Sequence, residues 1–199
     1  TGANRGIGLE FARQFSNRGD EVIALVRQTS SELDALDVRV ETEVDMTGPR
    51  LDSLSERLAG VCVDTLVLNA GVLLWDNLEH LNLDQVRTQF EVNTLGPLRT
   101  VRALRGLLKT GSKVVLMTSR MGSIGDNTSG GMYGYRLSKA ALNAVGKSLS
   151  LDLKAAGIAV AILHPGFVRT GMTRGNGDVD PSESTSGLIA RIDGLNLEN

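Results

Sequence analysis

Short runs of aliphatic and β-branched residues alternate along the chain with segments whose apolar residues recur every three or four positions. The runs fall at residues 21–26, 38–44, 63–68, 113–118 and 158–164. Most are apolar at consecutive rather than alternate positions, the pattern of a strand buried on both faces. Helical periodicity covers residues 9–17 (Leu9, Ala12, Phe15), 51–58 (Leu51, Leu54, Leu58), 83–108 and 133–156, with a weaker stretch from Ser186 onward (Leu188, Ile189, Ile192). Such alternation predicts an α/β fold: a parallel sheet with helices on both faces, right-handed crossovers, and ligands at the carboxyl ends of the strands. No repeat, low-complexity block or linker interrupts residues 1–199, which read as one domain.

Composition narrows the function classes. The chain has 199 residues, 41% hydrophobic and 22% charged, too apolar for intrinsic disorder. A formal net charge of −2 lacks the basic footprint of a dedicated nucleic-acid binder. The uncharged stretch 155–168 contains His164 and Pro165 and is too short to span a bilayer, so no membrane partner is expected. A lone cysteine, Cys62, has no partner within the chain and fits a reducing cytoplasmic compartment. Together with His80 and His164 it offers too few ligands for a zinc site, and no metal is expected.

Chemistry-bearing residues gather where the predicted strands end: Asp45-Met46, Asn69-Ala70-Gly71, Ser119, and Pro165-Gly166 with Thr170 beyond. Each alone is ordinary loop composition; their joint placement at one sheet edge is the signal. The chain opens on Thr1-Gly2-Ala3-Asn4-Arg5-Gly6-Ile7-Gly8, running directly into a helical pattern. Glycines there let a backbone turn approach a pyrophosphate and present amides at a helix N-terminus. The spacing is G-x-x-x-G-x-G rather than the commoner dinucleotide fingerprint. Further on, Tyr135 and Lys139 stand one helical turn apart. An ammonium close to a phenol favours phenolate, and at an effective dielectric of 20 the attraction lowers the phenol pKa by up to roughly 3 units. The pair therefore predicts a proton donor poised near neutrality, as carbonyl chemistry needs. Tyr133 has Leu137 at the matching position and is the weaker candidate.

Taken jointly, these residues resemble the short-chain dehydrogenase/reductase family in its single-domain branch, and the resemblance covers essentially the whole chain. Residues 130–136 look further like the sniffer and C-factor type of carbonyl reductase. The resemblance implies a Rossmann-type doubly wound parallel sheet whose first and last strands lie outside residues 1–199. The family's first strand sits in mid-sheet, so this stretch by itself is expected to fold poorly. It also implies roles. Tyr135 would give a proton to the substrate oxygen, Ser119 would hydrogen-bond that oxygen, and Lys139 would hold the nicotinamide ribose and acidify the phenol. Asn93 would hold a water linking the lysine to solvent. Gly2, Asn4, Arg5, Gly6, Ile7 and Gly8 would bind the cofactor with Asp45 and Met46 near the adenine. Asn69, Ala70 and Gly71 would line the channel, with Pro165, Gly166 and Thr170 at the carboxamide end. His164 is expected to be a strand-end core residue. Leu68 departs from the family's Asn-Asn-Ala-Gly by replacing its first asparagine.

Three choices stay open in the sequence. Ser123 competes with Ser119 for the catalytic serine; Ser119 is preferred because residues 117–119 leave a strand directly. The cofactor is read as NADP(H): the strand ending at Val26 has no acid after it to take a ribose 2′-hydroxyl, and Arg27 with Arg5 would instead suit a 2′-phosphate. The function is read as a carbonyl reductase acting on a small carbonyl or alcohol; a dinucleotide-binding regulatory or signalling protein on the same fold is the alternative. A Ser-His hydrolase fits poorly, since Met121 stands where G-x-S-x-G needs glycine. Trp75 and its loop, residues 122–131, and the segment after Thr170 are expected to form the substrate pocket. Homodimers or homotetramers through the long helices are expected from the resemblance.

Overall fold

The computed structural model describes residues 1–198 as an α/β fold. In chain order it contains α1 (Gly6–Arg18), β1 (Ile23–Leu25), α2 (Ser31–Asp34), β2 (Arg39–Glu41), α3 (Leu54–Arg57) and β3 (Val63–Leu68). These are followed by α4 (Leu83–Phe90), α5 (Gly96–Leu104), β4 (Leu108–Met117), α6 (Tyr133–Asp152), β5 (Ala159–Leu163) and α7 (Pro181–Asp193). All strand pairs are parallel. β1 pairs with β2, Ile23 opposite Arg39, and β4 lies between β3 and β5, with Val114 opposite both Leu66 and Val160.

The sheet is divided rather than continuous. No strand pairing joins β1 to β3 among the described residues. The opening residues bridge them: the Gly2 amide donates to Leu25 O at 2.9 Å and the Thr1 nitrogen to Val67 O at 2.8 Å. The division falls where the resemblance places the family's first strand.

β4 shows why its sequence is apolar at consecutive positions. Val114 and Leu116 enter a cluster with Leu66, Leu68, Leu104 and Leu142, on the face covered by α5 and α6. Val115 and Met117 point the other way, into a cluster with Phe11, Leu188 and Ile192 from α1 and α7. Successive side chains of a strand face opposite sides, so a strand covered on both needs apolar residues throughout. A third cluster (Ala24, Val26, Leu33, Ala12) closes the β1–β2 end, and the short α2 that seals it was not expected.

Two expected helices differ in detail. The stretch 83–108 is broken by a π-helical segment, Glu91–Leu95, between α4 and α5. Residues 51–58 form a 3-10 turn, Pro49–Leu51, followed by the single turn of α3. No described helix is long and apolar enough to cross a membrane.

Candidate active site

The carboxyl ends of β1, β2, β3, β4 and β5 and the start of α1 open toward one region. α1 begins with Arg5 in extended backbone as its cap, and no side chain accepts from its first amides. Its first turn is crowded from below: a Cβ on Gly8 would run into the Gly2 carbonyl oxygen and Asn69 Nδ2. Asn69 locks the turn by donating to Thr1 O at 3.0 Å, and the Ala70 amide donates to Thr1 Oγ1 at 2.9 Å. Across the turn, a Cβ on Gly6 would sit 3.5 Å from Thr170 Cγ2, which brings the glycine turn and the segment after β5 together. An uncapped helix start reached only by glycine backbone suits a pyrophosphate.

Beside it, Arg27 lies near Asp45. Hydrogen bonds from the Thr47 amide and hydroxyl, with the Arg27 charge behind them, hold the Asp45 carboxyl below its usual range. Among the described residues Arg27 and Arg5, like Arg105, Arg136, Arg174 and Arg191, carry no ion pair, but only these two stand at this end of the cleft. Two exposed guanidinium groups without carboxylate partners fit a phosphate. Met46 differs from expectation. Its side chain packs under α5, accepting from Thr100 Oγ1, and is 5% exposed, so it is part of the core rather than open to the site. Pro165 and Gly166 follow β5, and Pro165 O accepts from Ser184 Oγ at 2.6 Å.

α6 presents Tyr135 and Lys139 on one face. Ser119 stands beside Tyr135, where its hydroxyl eases ionisation of the phenol, and its Oγ accepts the Met121 amide at 3.1 Å. The geometry thus brings Ser119, not Ser123, to the tyrosine; Ser123 is exposed on the following loop and accepts from the Asp126 amide at 3.3 Å. Lys139 Nζ donates to Met117 O at 2.8 Å and has no carboxylate partner among the described residues. It lies 5.7 Å from the Tyr135 ring centre and reaches toward Gly71, where a Cβ would be 3.7 Å away. Burial without a counter-ion pulls the ammonium down to about 8.

The phenol behaves oppositely to expectation. Burial pushes Tyr135 up to about 12, and the Ser119 hydroxyl offsets only part of that. The pairwise attraction to a lysine does not dominate, because both groups are desolvated and the ammonium donates to Met117 O. Tyr135 is therefore protonated at neutral pH, the state a proton donor requires.

The side chain of Asn93 is engaged with the fold itself. It sits in the π-helical segment, fully buried, and pairs with one backbone unit in both directions: Oδ1 accepts from the Val72 amide and Nδ2 donates to Val72 O, each at 2.8 Å. Nδ2 also donates to Ser138 Oγ at 3.0 Å. Both amide protons are thus taken by protein, and the side chain braces the turn containing Gly71 against α6. A π-bulge redirects side chains in this way without ending the helix.

The three segments expected to form the substrate pocket do meet. The Arg174 guanidinium lies 5.7 Å from the ring centre of Trp75, itself 60% exposed. Asp76 accepts amides from the start of α6, and Arg136 donates to Gly131 O and Ser129 Oγ. Asp76 was missed in the sequence, where it reads as an ordinary loop acid. His164 departs from the core position expected of it: it follows β5 on the exposed side, and desolvation with the nearby Arg120 charge makes it less readily protonated.

Residues 1–180 match the short chain dehydrogenase family. The chain is 44% identical, over 99% of its length and 90% of the relative's, to a Rhodococcus protein named 1-hydroxy-2-glutathionyl-2-methyl-3-butene dehydrogenase. It is 43% identical over 140 residues to the C-signal of Myxococcus xanthus, covering 69% of this chain and 84% of that one. Among solved structures, the NADPH-bound carbonyl reductase from chicken fatty liver superposes with a TM-score of 0.89 at 27% identity, covering 99% of this chain and 90% of that one.

Proposed function

The chain belongs to the short-chain dehydrogenase family, and on that premise we propose that it is an NADP(H)-dependent oxidoreductase that interconverts a small carbonyl compound and its alcohol. The observation that carries this reading is the buried Lys139 ammonium without a counter-ion, one turn from a buried Tyr135 with Ser119 beside it. A buried, unpaired charge is costly to keep and marks a functional site.

The residues present fit the dinucleotide. The open amides of α1 suit its pyrophosphate, Arg27 and Arg5 a 2′-phosphate, Asp45 the adenine end, and Asn69, Gly71 and Lys139 the nicotinamide ribose end, with Thr170 opposite. When bound, the cofactor supplies or accepts the hydride. Tyr135 holds its proton at neutral pH and releases it to the carbonyl oxygen as negative charge develops there. Ser119 donates to the same oxygen and orients it toward the phenol. Lys139, charged below about pH 8, favours the phenolate left after the transfer. Asn93 keeps the Gly71 turn fixed against α6, so the two halves of the cleft hold their spacing.

The named Rhodococcus relative is a dehydrogenase of a hydroxylated compound, which supports the alcohol as one member of the substrate pair. The C-signal relative supports a second reading, a signalling protein on this fold. The Ser119, Tyr135 and Lys139 arrangement favours catalysis, since binding the dinucleotide alone requires no proton donor. The outer faces of α5 and α6 expose Leu98 and Leu151, which supports pairing of two copies through these helices.

Tyr135→Phe tests the reading. Turnover of NADPH with an aromatic aldehyde should fall at least about a hundredfold, with NADPH affinity within about twofold of wild type, because the hydroxyl acts on charge present only in the transition state. Tyr133→Phe, at a side chain 42% exposed, should change neither. Wild-type turnover in Tyr135→Phe would overturn the mechanism. Tight NADPH binding without reduction of any aldehyde, ketone or quinone by the wild-type protein would favour the signalling reading.

A further inference from the structure

The start of α6 has no cap of its own. The residue before it, Met132, is held in left-handed backbone at φ 53°, and its side chain accepts nothing. The acceptors come from far along the chain. Asp76, 8% exposed, receives the Tyr133 amide on Oδ1 at 2.5 Å and the Gly134 amide on Oδ2 at 3.0 Å. Its carbonyl oxygen receives the Met132 amide at 3.0 Å. Three consecutive amides therefore end on one residue, and the next residue is Tyr135. The fit is close: a Cβ on Gly134 would lie 3.2 Å from Asp76 Oδ2 and would collide with Gln89 Nε2, while Gln89 Oε1 accepts from the Leu74 amide of the same loop at 2.9 Å.

We propose that Asp76 is a positioning residue for the Tyr135 proton donor, fixing the first turn of α6 and the Trp75 loop to each other as one wall of the substrate cleft. The inference rests on Tyr135 being the donor. A phenol one residue past the anchored amides has its backbone placement set by them, and the position of a proton donor relative to the reacting oxygen governs turnover steeply. Asp76 touches neither the α1 amides nor Arg27, so cofactor affinity should not depend on it. The same residue holds the backbone next to Trp75, so substrate binding should weaken together with turnover.

The test is steady-state kinetics of NADPH oxidation with 4-nitrobenzaldehyde, alongside NADPH titration by fluorescence and thermal melting. Asp76→Ala should lower kcat about tenfold to a hundredfold, raise the KM for the aldehyde, and leave the NADPH Kd within about twofold. Asp76→Asn, which keeps one acceptor, should recover part of the loss and serves as the measured variant if Asp76→Ala does not fold. Asn82→Ala removes the comparable cap of α4, where Asn82 Oδ1 accepts from the Asp84 and Gln85 amides, and should lower the melting temperature with kcat unchanged. In a Tyr135→Phe background, Asp76→Ala or Asp76→Asn should cause no further loss, because two changes acting through one group are not additive. Wild-type kcat in the Asp76 variants, an equal fall in NADPH affinity, or a full further loss in the Tyr135→Phe background would overturn the inference and leave the reductase reading standing. Wild-type turnover in Tyr135→Phe alone would overturn both.

Discussion

Two helices begin at the same cleft and end their first turns differently. α1 starts with amides that no side chain accepts, beneath a glycine turn, with Arg5 as its cap. α6 starts with its amides closed by the Asp76 carboxylate. Both starts carry the same partial positive charge of a helix N-terminus. The protein leaves one to an outside anion and satisfies the other from within. The difference marks which helix binds and which is held rigid: an open start pays for itself only when a ligand arrives, whereas a closed start orients side chains continuously. The tyrosine proposed as proton donor stands on the closed one.

The open start is broken most severely by filling it. Gly8→Ala places a methyl group against the Gly2 carbonyl, which is backbone and cannot rotate away, and against Asn69 Nδ2, whose side chain is tied to Thr1 O. Overpacking of this kind typically costs about 1–3 kcal/mol, and more where backbone must move. Calorimetry should show a lower melting temperature, and fluorescence titration should show NADPH affinity reduced more than tenfold. Gly187→Ala on α7, where nothing lies within 4 Å, should instead stabilise the protein by up to about 1 kcal/mol. Equal outcomes at the two glycines would show that the crowding beneath α1 has no functional consequence.

The closed start is sharpened by the charge one turn below it. Lys139 falls from 10.5 in the unfolded chain to about 8 in the folded one through burial. Below pH 8 both states bind the proton, and the folded state bears the full cost of an ammonium buried without a counter-ion, about 3 kcal/mol at most. Between pH 8 and 10.5 the unfolded state binds more protons than the folded one, so this component of stability rises with pH and the penalty is gone above 10.5. Tyr135, raised from 10 to about 12, acts mostly above this window: its contribution is lost as pH climbs from 10 to 12. Lys139→Met should therefore melt higher than wild type at pH 7, with the gap closing by about pH 10, while turnover is lost. A gap independent of pH would mean that folding does not shift the lysine's pKa, so that burial does not penalise its charge.

Legibility in the sequence followed the range of the interactions. The strands of the β3–β5 sheet were readable because burial on both faces writes itself into consecutive residues, as in Val114 to Met117. The glycine turn and the Tyr135–Lys139 pair were readable because one helix turn fixes their spacing. Asp76 was not: its partners are 57 and 58 positions away, and nothing local distinguishes it from other loop acids. The π-helical segment at Asn93 was hidden because its apolar period hardly differs from that of an α-helix over one turn. The direction of the Tyr135 shift was missed because a pair was weighed without its burial, and burial depends on the whole fold. Met46 followed the same rule: its neighbour Asp45 faces the cleft, and only the packing of α5 reveals that Met46 turns inward.

The smallest expected effect separates the two arginines' contribution from that of the α1 backbone. Arg27→Asp leaves the glycine turn and the amides intact but removes one cation and adds a carboxylate close to Asp45, whose own charge Arg27 now helps to stabilise. A 2′-phosphate would lose one charge-assisted contact, about 1.5–3 kcal/mol in general, and meet two carboxylates in its place. NADPH affinity should fall at least about tenfold, while NADH, which presents a 2′-hydroxyl there, should bind equally well or better. Because Arg27 is exposed, the NADPH loss should shrink as salt is raised, whereas the loss in Gly8→Ala, being steric, should not. Parallel titrations of both nucleotides at low and high salt distinguish the two. Equal losses for NADPH and NADH would show that Arg27 does not read the 2′-position, and that the open start of α1 alone sets affinity.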